Sequence, residues 1–212
     1  MATSVPIYSA PFDAVAEDYD RTFTRSNIGR AQRASVWKDL ARTFYPGDRI
    51  LEVGCGTGVD ACFLARRGVT VVACDSSPAM IAVAHRRVRE ANEGKVHLHL
   101  LPAENLTKLS SGQGFDGGFS NFGALNCVED LQPVVSALSR LLKPGATFLL
   151  CVMGRYCVWE VVWYLAQGNW QKAFRRLRRG DVCARLAPDA TLRIFYPSVN
   201  SIIRTFYPGF RL

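Results

Sequence analysis

The chain has little of what usually marks a site on sight. It holds three histidines. Its seven cysteines, at 55, 62, 74, 127, 151, 157 and 183, form neither a C-x-x-C pair nor a zinc spacing. That excludes a zinc module and a disulfide framework. Cysteines set in apolar strand and helix patterns behave as small hydrophobes, so a reduced, cytoplasmic protein with no metal site is expected. His97 and His99 are two apart on one face of a strand pattern, but no acid or cysteine accompanies them, and they read as surface histidines. No apolar run approaches the ~20 residues of a membrane span. The opening residues 1–6 lack a charged segment and an apolar core, so no signal peptide is expected.

What is present is an ordinary globular composition, 49% hydrophobic over 212 residues, which suits one domain with an appendage. The net charge of +8 is unevenly placed: residues 151–212 carry ten Lys/Arg against three Asp/Glu, leaving 16 against 15 before them. The basicity therefore belongs to the tail.

The stretch that organises the rest is Ile50-Leu51-Glu52-Val53-Gly54-Cys55-Gly56-Thr57-Gly58. An apolar run of strand type ends in three glycines at alternate positions, and a helix-type run (Val59, Cys62, Phe63, Ala65) follows at once, closed by Gly68. Such a unit places bare backbone at the carboxyl end of a strand and the positive end of a helix. Glycine there takes positive φ and lets a ligand touch the main chain. The dinucleotide fingerprint G-x-G-x-x-G/A fails, because Val59 stands where a small residue is required, and no Gly-Lys-Ser/Thr follows for a phosphate loop. Val69 to Asp75 reads as a second buried strand ending in an acid, about 20 residues past the glycines, where a carboxylate can accept from both ribose hydroxyls. Ser77 caps the next helix with Pro78 in its first position, and Met80, Ile81, Ala84 and Val88 form its inward stripe.

The E/D-x-G-x-G-x-G form, Asp75 and the later Leu142-Lys143-Pro144-Gly145 together resemble the class I, Rossmann-like S-adenosylmethionine-dependent methyltransferases, and the methyltransferase type 11 group among them, from about residue 12 to 153. The resemblance implies a doubly wound, mostly parallel α/β sheet flanked by helices. It implies S-adenosylmethionine as cofactor and a small-molecule acceptor. Gly54, Cys55 and Gly56 would approach the cofactor, Glu52 would face its ammonium or tie loop amides together, and Asp75 and Ser76 would meet the ribose. Met80 would pack on the adenine, with Ala103 and Glu104 at the adenine edge. The phrase Phe12-Asp13-x-x-Ala16-x-x-Tyr19-Asp20, in a segment that also holds Tyr8 and Phe23, resembles the family's flap. Tyr19 and Arg30 would then cover the methionine end. Asn121 and Phe122, after a fourth strand Phe115–Ser120, would face the sulfonium and the acceptor. Asn121, Asn126, Tyr19 and Glu129 could orient an acceptor, and no residue is identified as a catalytic base. The Asn/Asp-Pro-Pro-aromatic tetrad of enzymes that methylate amide or exocyclic amine nitrogens is absent, which argues against adenine-N6 and glutamine acceptors. Gly117 and Gly118, where the family carries β-branched residues, would let the methionine moiety or a neighbouring strand come closer.

Three divisions follow: 1–48, a flap and a helix (30–44, with Trp37, Leu40 and Phe44 inward); 49–153, the cofactor-binding core with a flexible Gly112-Gln113-Gly114 loop and a fifth strand Ala146–Val152; and 154–212, a basic, aromatic-rich helical lid and the start of the C-terminal strands. Lys172, Arg175, Arg176, Arg178 and Arg179 crowd one face of the last division and suit an anionic substrate or membrane headgroups. No nucleic-acid motif is apparent. Thr191–Tyr196 reads as a strand, Pro197–Phe206 as a helix and Phe210–Leu212 as the start of a further strand. The family's last two strands are thus incomplete, and the chain is expected to be part of a longer enzyme. Two alternatives stand beside this reading: a nicotinamide-dependent oxidoreductase, which Val59 and the missing third glycine oppose, and a non-catalytic cofactor-binding module acting through its basic tail.

Overall fold

A computed structural model describes residues 10–109, 112, 114–178, 180–188, 190–207 and 209–211. Tyr8, Gln113, Arg179 and Leu212, named above, lie outside the described residues. Five strands form one parallel sheet in the order β3-β2-β1-β4-β5: β1 (Arg49–Val53), β2 (Thr70–Asp75), β3 (Val96–Leu100), β4 (Phe115–Ser120) and β5 (Leu142–Leu150). The strand order reverses between β1 and β4. In such sheets the crevice for a ligand opens at that reversal, beyond the carboxyl ends of the strands.

The alternation along β1 separates two cores. Leu51 and Val53 face Phe115, the short turn 103–108, α5 (Gln132–Leu141) and α8 (Val199–Phe206). Ile50 faces the other way, toward α2 (Asn27–Thr43), α3 (Val59–Ala65) and Ile81 of α4 (Pro78–Glu90). Helices thus cover both faces, as two-sided burial of a parallel sheet requires. Gly117 and Gly118 have a packing role. A Cβ at Gly117 would lie 2.6 Å from the Phe44 ring, and one at Gly118 would lie 3.0 Å from the Phe148 ring. Their bareness admits a helix and a strand, not a ligand. His97 and His99 are exposed on β3, at the sheet's edge.

The chain before α2 consists of helical turns, Pro11–Val15, α1 (Ala16–Tyr19) and Asp20–Thr24, and Ser26 caps α2 by accepting from Gly29 N. After β5 come α6 (Val158–Ala166), α7 (Trp170–Ala173) and an antiparallel hairpin of β6 (Asp181–Ala187) and β7 (Ala190–Phe195). β7 is the strand expected at 191–196, and β6 was not expected. Its signal is a period of two: Val182, Ala184 and Leu186 pack inward beside Leu192 and Ile194, and Cys183 and Arg185 face out. Phe210 continues no strand. Its ring packs on Phe206 and Phe148. Among the described residues β5 pairs with β4 alone.

Asn126 ties the hairpin to the sheet. Fully buried, it donates to Met153 O and Phe195 O and accepts from Met153 N. Asn126→Ala would strand three backbone groups and is expected to cost about 2–3 kcal/mol of unfolding free energy. Urea denaturation measures this, and a loss below ~1 kcal/mol would mean that water replaces the amide.

Candidate functional site

The glycine loop adopts the conformation its composition requires. Gly54, Gly56 and Gly58 have φ of 77°, 53° and 74°, in the left-handed region that side chains disfavour. A Cβ on Gly54 would sit 2.2 Å from the Ala124 Cβ, whereas one on Gly56 would meet nothing within 4 Å. Gly54 is bare so that the chain can pass Ala124, and Gly56 presents bare backbone to open space. The loop's amides are held by its neighbours on β2. Gly54 N and Cys55 N donate to Cys74 O, at 2.8 and 2.9 Å, and Gly56 N donates to Asp75 Oδ2 at 2.8 Å. Asp75 Oδ1 accepts from Ser77 N.

Two cavities meet at Phe12, Gly54, Asp75 and Ala124. The narrow one, about 90 Å³, is walled by Glu52, Cys55, Gly56, Tyr19, Asn121 and Phe122, among others. The wide one, about 490 Å³, is walled by Ser76, Ala103, Glu104 and the hairpin residues Thr191, Leu192 and Arg193. Met80 is 2% exposed and lines the narrow cavity, away from Ala103 and Glu104.

The narrow cavity is rich in carboxylates. Glu52 is buried at the end of a central strand, and its Oε2 has no hydrogen-bond partner. Burial drives its pKa well above the usual range, Asp60 and Asp75 push the same way, and the Arg33 guanidinium opposes them. The loop amides go to Cys74 O and Asp75, so Glu52 does not tie them together. Asp75 is also raised, by burial first and against its amide donors. The Tyr19 hydroxyl is pushed up to about 12 by burial.

Arg30 is a correction. It is exposed at the start of α2, hydrogen-bonded to Asn27 Oδ1, and lines neither cavity. Arg33, nearly a turn later, is the basic residue in the narrow cavity: it is buried, pairs with Asp60 Oδ1 and lies 4.5 Å over the Phe122 ring. Asp60 was missed altogether. It stands in the first turn of α3, and its carboxylate also accepts from Trp37 Nε1 at 2.8 Å and Asn121 Nδ2 at 3.0 Å. This fixes the Asn121 amide. Phe122 has φ 51°, a costly backbone for an aromatic residue and of a kind that gathers at functional sites. Its ring meets Phe23, which in turn meets Tyr19.

The flap is fastened by carboxylates. Asp13 accepts from Ser77 Oγ and Ala79 N at the start of α4, and Asp20 accepts from Thr57 Oγ1 and Arg87. Asn126 and Glu129 do not orient anything in the narrow cavity. The first is consumed by backbone, and the second pairs with Arg193 on the surface. The expected helical lid is also corrected, because α6 and α7 line neither cavity and the hairpin lines the wide one. The basic run is partly neutralised: Arg175 and Arg176 both pair with Glu160.

A family model described as a methyltransferase domain matches residues 50–145. The chain is 36% identical to a demethylmenaquinone methyltransferase of Clavibacter sepedonicus, over 68% of this chain and 56% of that one. It is 33% identical to a ubiquinone biosynthesis O-methyltransferase of Xanthomonas campestris pv. campestris, over 54% and 47%. The chain thus spans about half the length of these curated relatives. Among solved structures it resembles the CcbJ methyltransferase from Streptomyces caelestis, with a TM-score of 0.66 at 19% identity over 95% of this chain and 86% of that one.

Proposed function

The chain belongs to the class I, Rossmann-like S-adenosylmethionine-dependent methyltransferases, and on that premise we propose that it transfers a methyl group from S-adenosylmethionine to a small-molecule acceptor by direct displacement. One observation carries this reading: the bare backbone of Gly56 faces a cavity walled by Glu52, Asp60 and Asp75 against a single guanidinium. A pyrophosphate would be repelled there, which disfavours the oxidoreductase. A ligand carrying an ammonium and a sulfonium would be attracted.

The buried, partnerless Glu52 Oε2 is the group that an ammonium would satisfy. Gly54, Cys55 and Gly56 would hold the amino-acid end by main-chain contact, beside Arg33 and Tyr19. Asp75 would accept from the ribose with Ser76 next to it, and Ala103 and Glu104 would meet the base in the wide cavity. Met80 would then pack beside Asp75, nearer the sugar than the adenine edge. When bound, the cofactor supplies an activated methyl on a positively charged sulfur with a neutral leaving group. The chain's own work is alignment and exclusion of water. Phe12 and Tyr19 close the flap side, and Asn121, held by Asp60, presents a fixed polar edge beside Phe122.

The names of the two relatives support a quinone-precursor acceptor, received against the Phe122 ring, which Phe23 backs. We place the protein in the cytoplasm, in keeping with its free thiols. We also assign contact with an anionic substrate or membrane surface to the basic segment Lys172–Arg179. The three divisions at 48 and 153 serve as flap, cofactor core and tail.

The test is transfer of labelled methyl from the cofactor to reduced demethylnaphthoquinones and simple phenols. No transfer to any acceptor, despite cofactor binding, would favour the non-catalytic module. Asp75→Ala is expected to weaken cofactor binding by about 1–3 kcal/mol. Unchanged affinity in calorimetry would remove Asp75 from the ribose.

A further inference from the structure

Helix α6 has its polarity reversed. Glu160 is the only charged residue in Val158–Ala166, and it points inward, where Arg175 and Arg176 bind it. At about 100° per residue, Val158 and Val162 lie opposite Glu160, Trp159 and Trp163 stand about 100° and 60° to one side of it, and Tyr156 just precedes the helix. All five are exposed, Tyr156 by 80%, Trp159 by 73% and Trp163 by 52%. The Trp159 and Trp163 rings stack on one another, 6.3 Å between centroids. Past the turn, Trp170 is 67% exposed. A surface helix normally turns its charges outward, and large aromatic side chains are rarely left in water without a use.

We propose that the outer face of α6, together with Trp170, docks on the surface of an anionic lipid bilayer. This deepens the membrane-surface reading given above by moving the contact from the arginine run to the aromatic face. The residue types point to lipid. Trp and Tyr have an apolar body and a polar edge, which suits the headgroup boundary. The charge agrees. Residues 151–180 hold six Lys/Arg and one Asp/Glu, a balance of +5, and the one acid is spent on Arg175 and Arg176. Lys172 and Arg178 remain exposed, Lys172 with its ammonium 5.7 Å from the Tyr164 ring of α6, and each basic residue near an anionic surface adds attraction. Nine residues of helix are too short to cross a bilayer, so the contact is peripheral.

The test is sedimentation of the whole chain with phosphatidylcholine vesicles containing about 30 mol% phosphatidylglycerol. The chain should pellet with them and its tryptophan emission should shift blue. Trp159→Ser with Trp163→Ser should weaken the association about tenfold or more. Lys172→Glu with Arg178→Glu, which leaves the aromatic face intact, should remove its salt sensitivity. Melting curves and cofactor titration of each variant should match the parent, and Trp170→Ser alone provides a milder change if the double variant is unstable. Failure to pellet, or a double tryptophan variant that pellets like the parent, overturns the proposal. So does a dimer in vesicle-free buffer that the double variant dissolves, because the face would then meet a second copy. None of these readouts involves methyl transfer, so they leave the proposed activity untouched.

Discussion

Glu52→Gln is expected to make the protein more stable and, at the same time, a weaker binder of S-adenosylmethionine. The carboxyl is buried, Oε2 has no partner, and burial, with Asp60 and Asp75 adding to it, raises its pKa well above the usual value. The folded state therefore holds a proton that the unfolded state has lost. Stability from this group is fully present below the ordinary glutamate pKa of ~4.3 and is lost as pH rises through the folded value. Glutamine keeps the shape and removes the titration. The variant should match the parent near pH 4.5 and exceed it by on the order of 1–3 kcal/mol at pH 8.

Binding should move the other way. An ammonium beside Glu52 favours the ionised form, so parent affinity should rise with pH through the same interval, with proton release on binding. Arg33, Asp60, Asp75, Tyr19 and Cys55 face the same cavity, and they remain in the variant. The glutamine form should lose about 1–3 kcal/mol of affinity together with most of the pH dependence. Denaturation and calorimetry across pH measure both effects. A variant that is destabilised at pH 8, or whose affinity keeps the parent's pH slope, would take Glu52 out of the ammonium site.

The parts of this site legible in the sequence are those fixed by short-range geometry. A strand, three glycines at alternate positions and a helix-type run after them determine the loop and its left-handed backbone, whereas the hydrogen bond from Gly56 N to Asp75 shows only in the fold. The Asp60 hub was not legible, because an acid in the first turn of a helix is commonplace and its meaning comes from Arg33, Trp37 and Asn121, which lie 27, 23 and 61 residues away in sequence. Choosing between Arg30 and Arg33 depends on how α2 sits on α3, and α2's own periodicity does not report that. The hairpin was half legible. β7 is apolar enough to stand out, whereas β6 alternates around an arginine and a cysteine on its outer face. Gly117 and Gly118 were recognisable as close approaches, but only the fold shows that Phe44 and Phe148 are what approaches.

The account rests on naked main chain at the loop. Gly56 has φ 53°, and the space where its Cβ would stand is open. A side chain there would cost the fold about 1–2 kcal/mol of left-handed strain while filling the ligand's place. Gly56→Ala should bind S-adenosylmethionine more weakly than the parent, and Gly56→Val should lose about 100-fold or more, roughly 3 kcal/mol. Thermal melting of each variant should remain cooperative. The direct measurement is calorimetric titration of S-adenosylmethionine into the parent and Gly56→Val. Measurable binding to the first with near-total loss in the second is the expected result, and a folded Gly56→Val protein that binds as tightly as the parent would contradict the account.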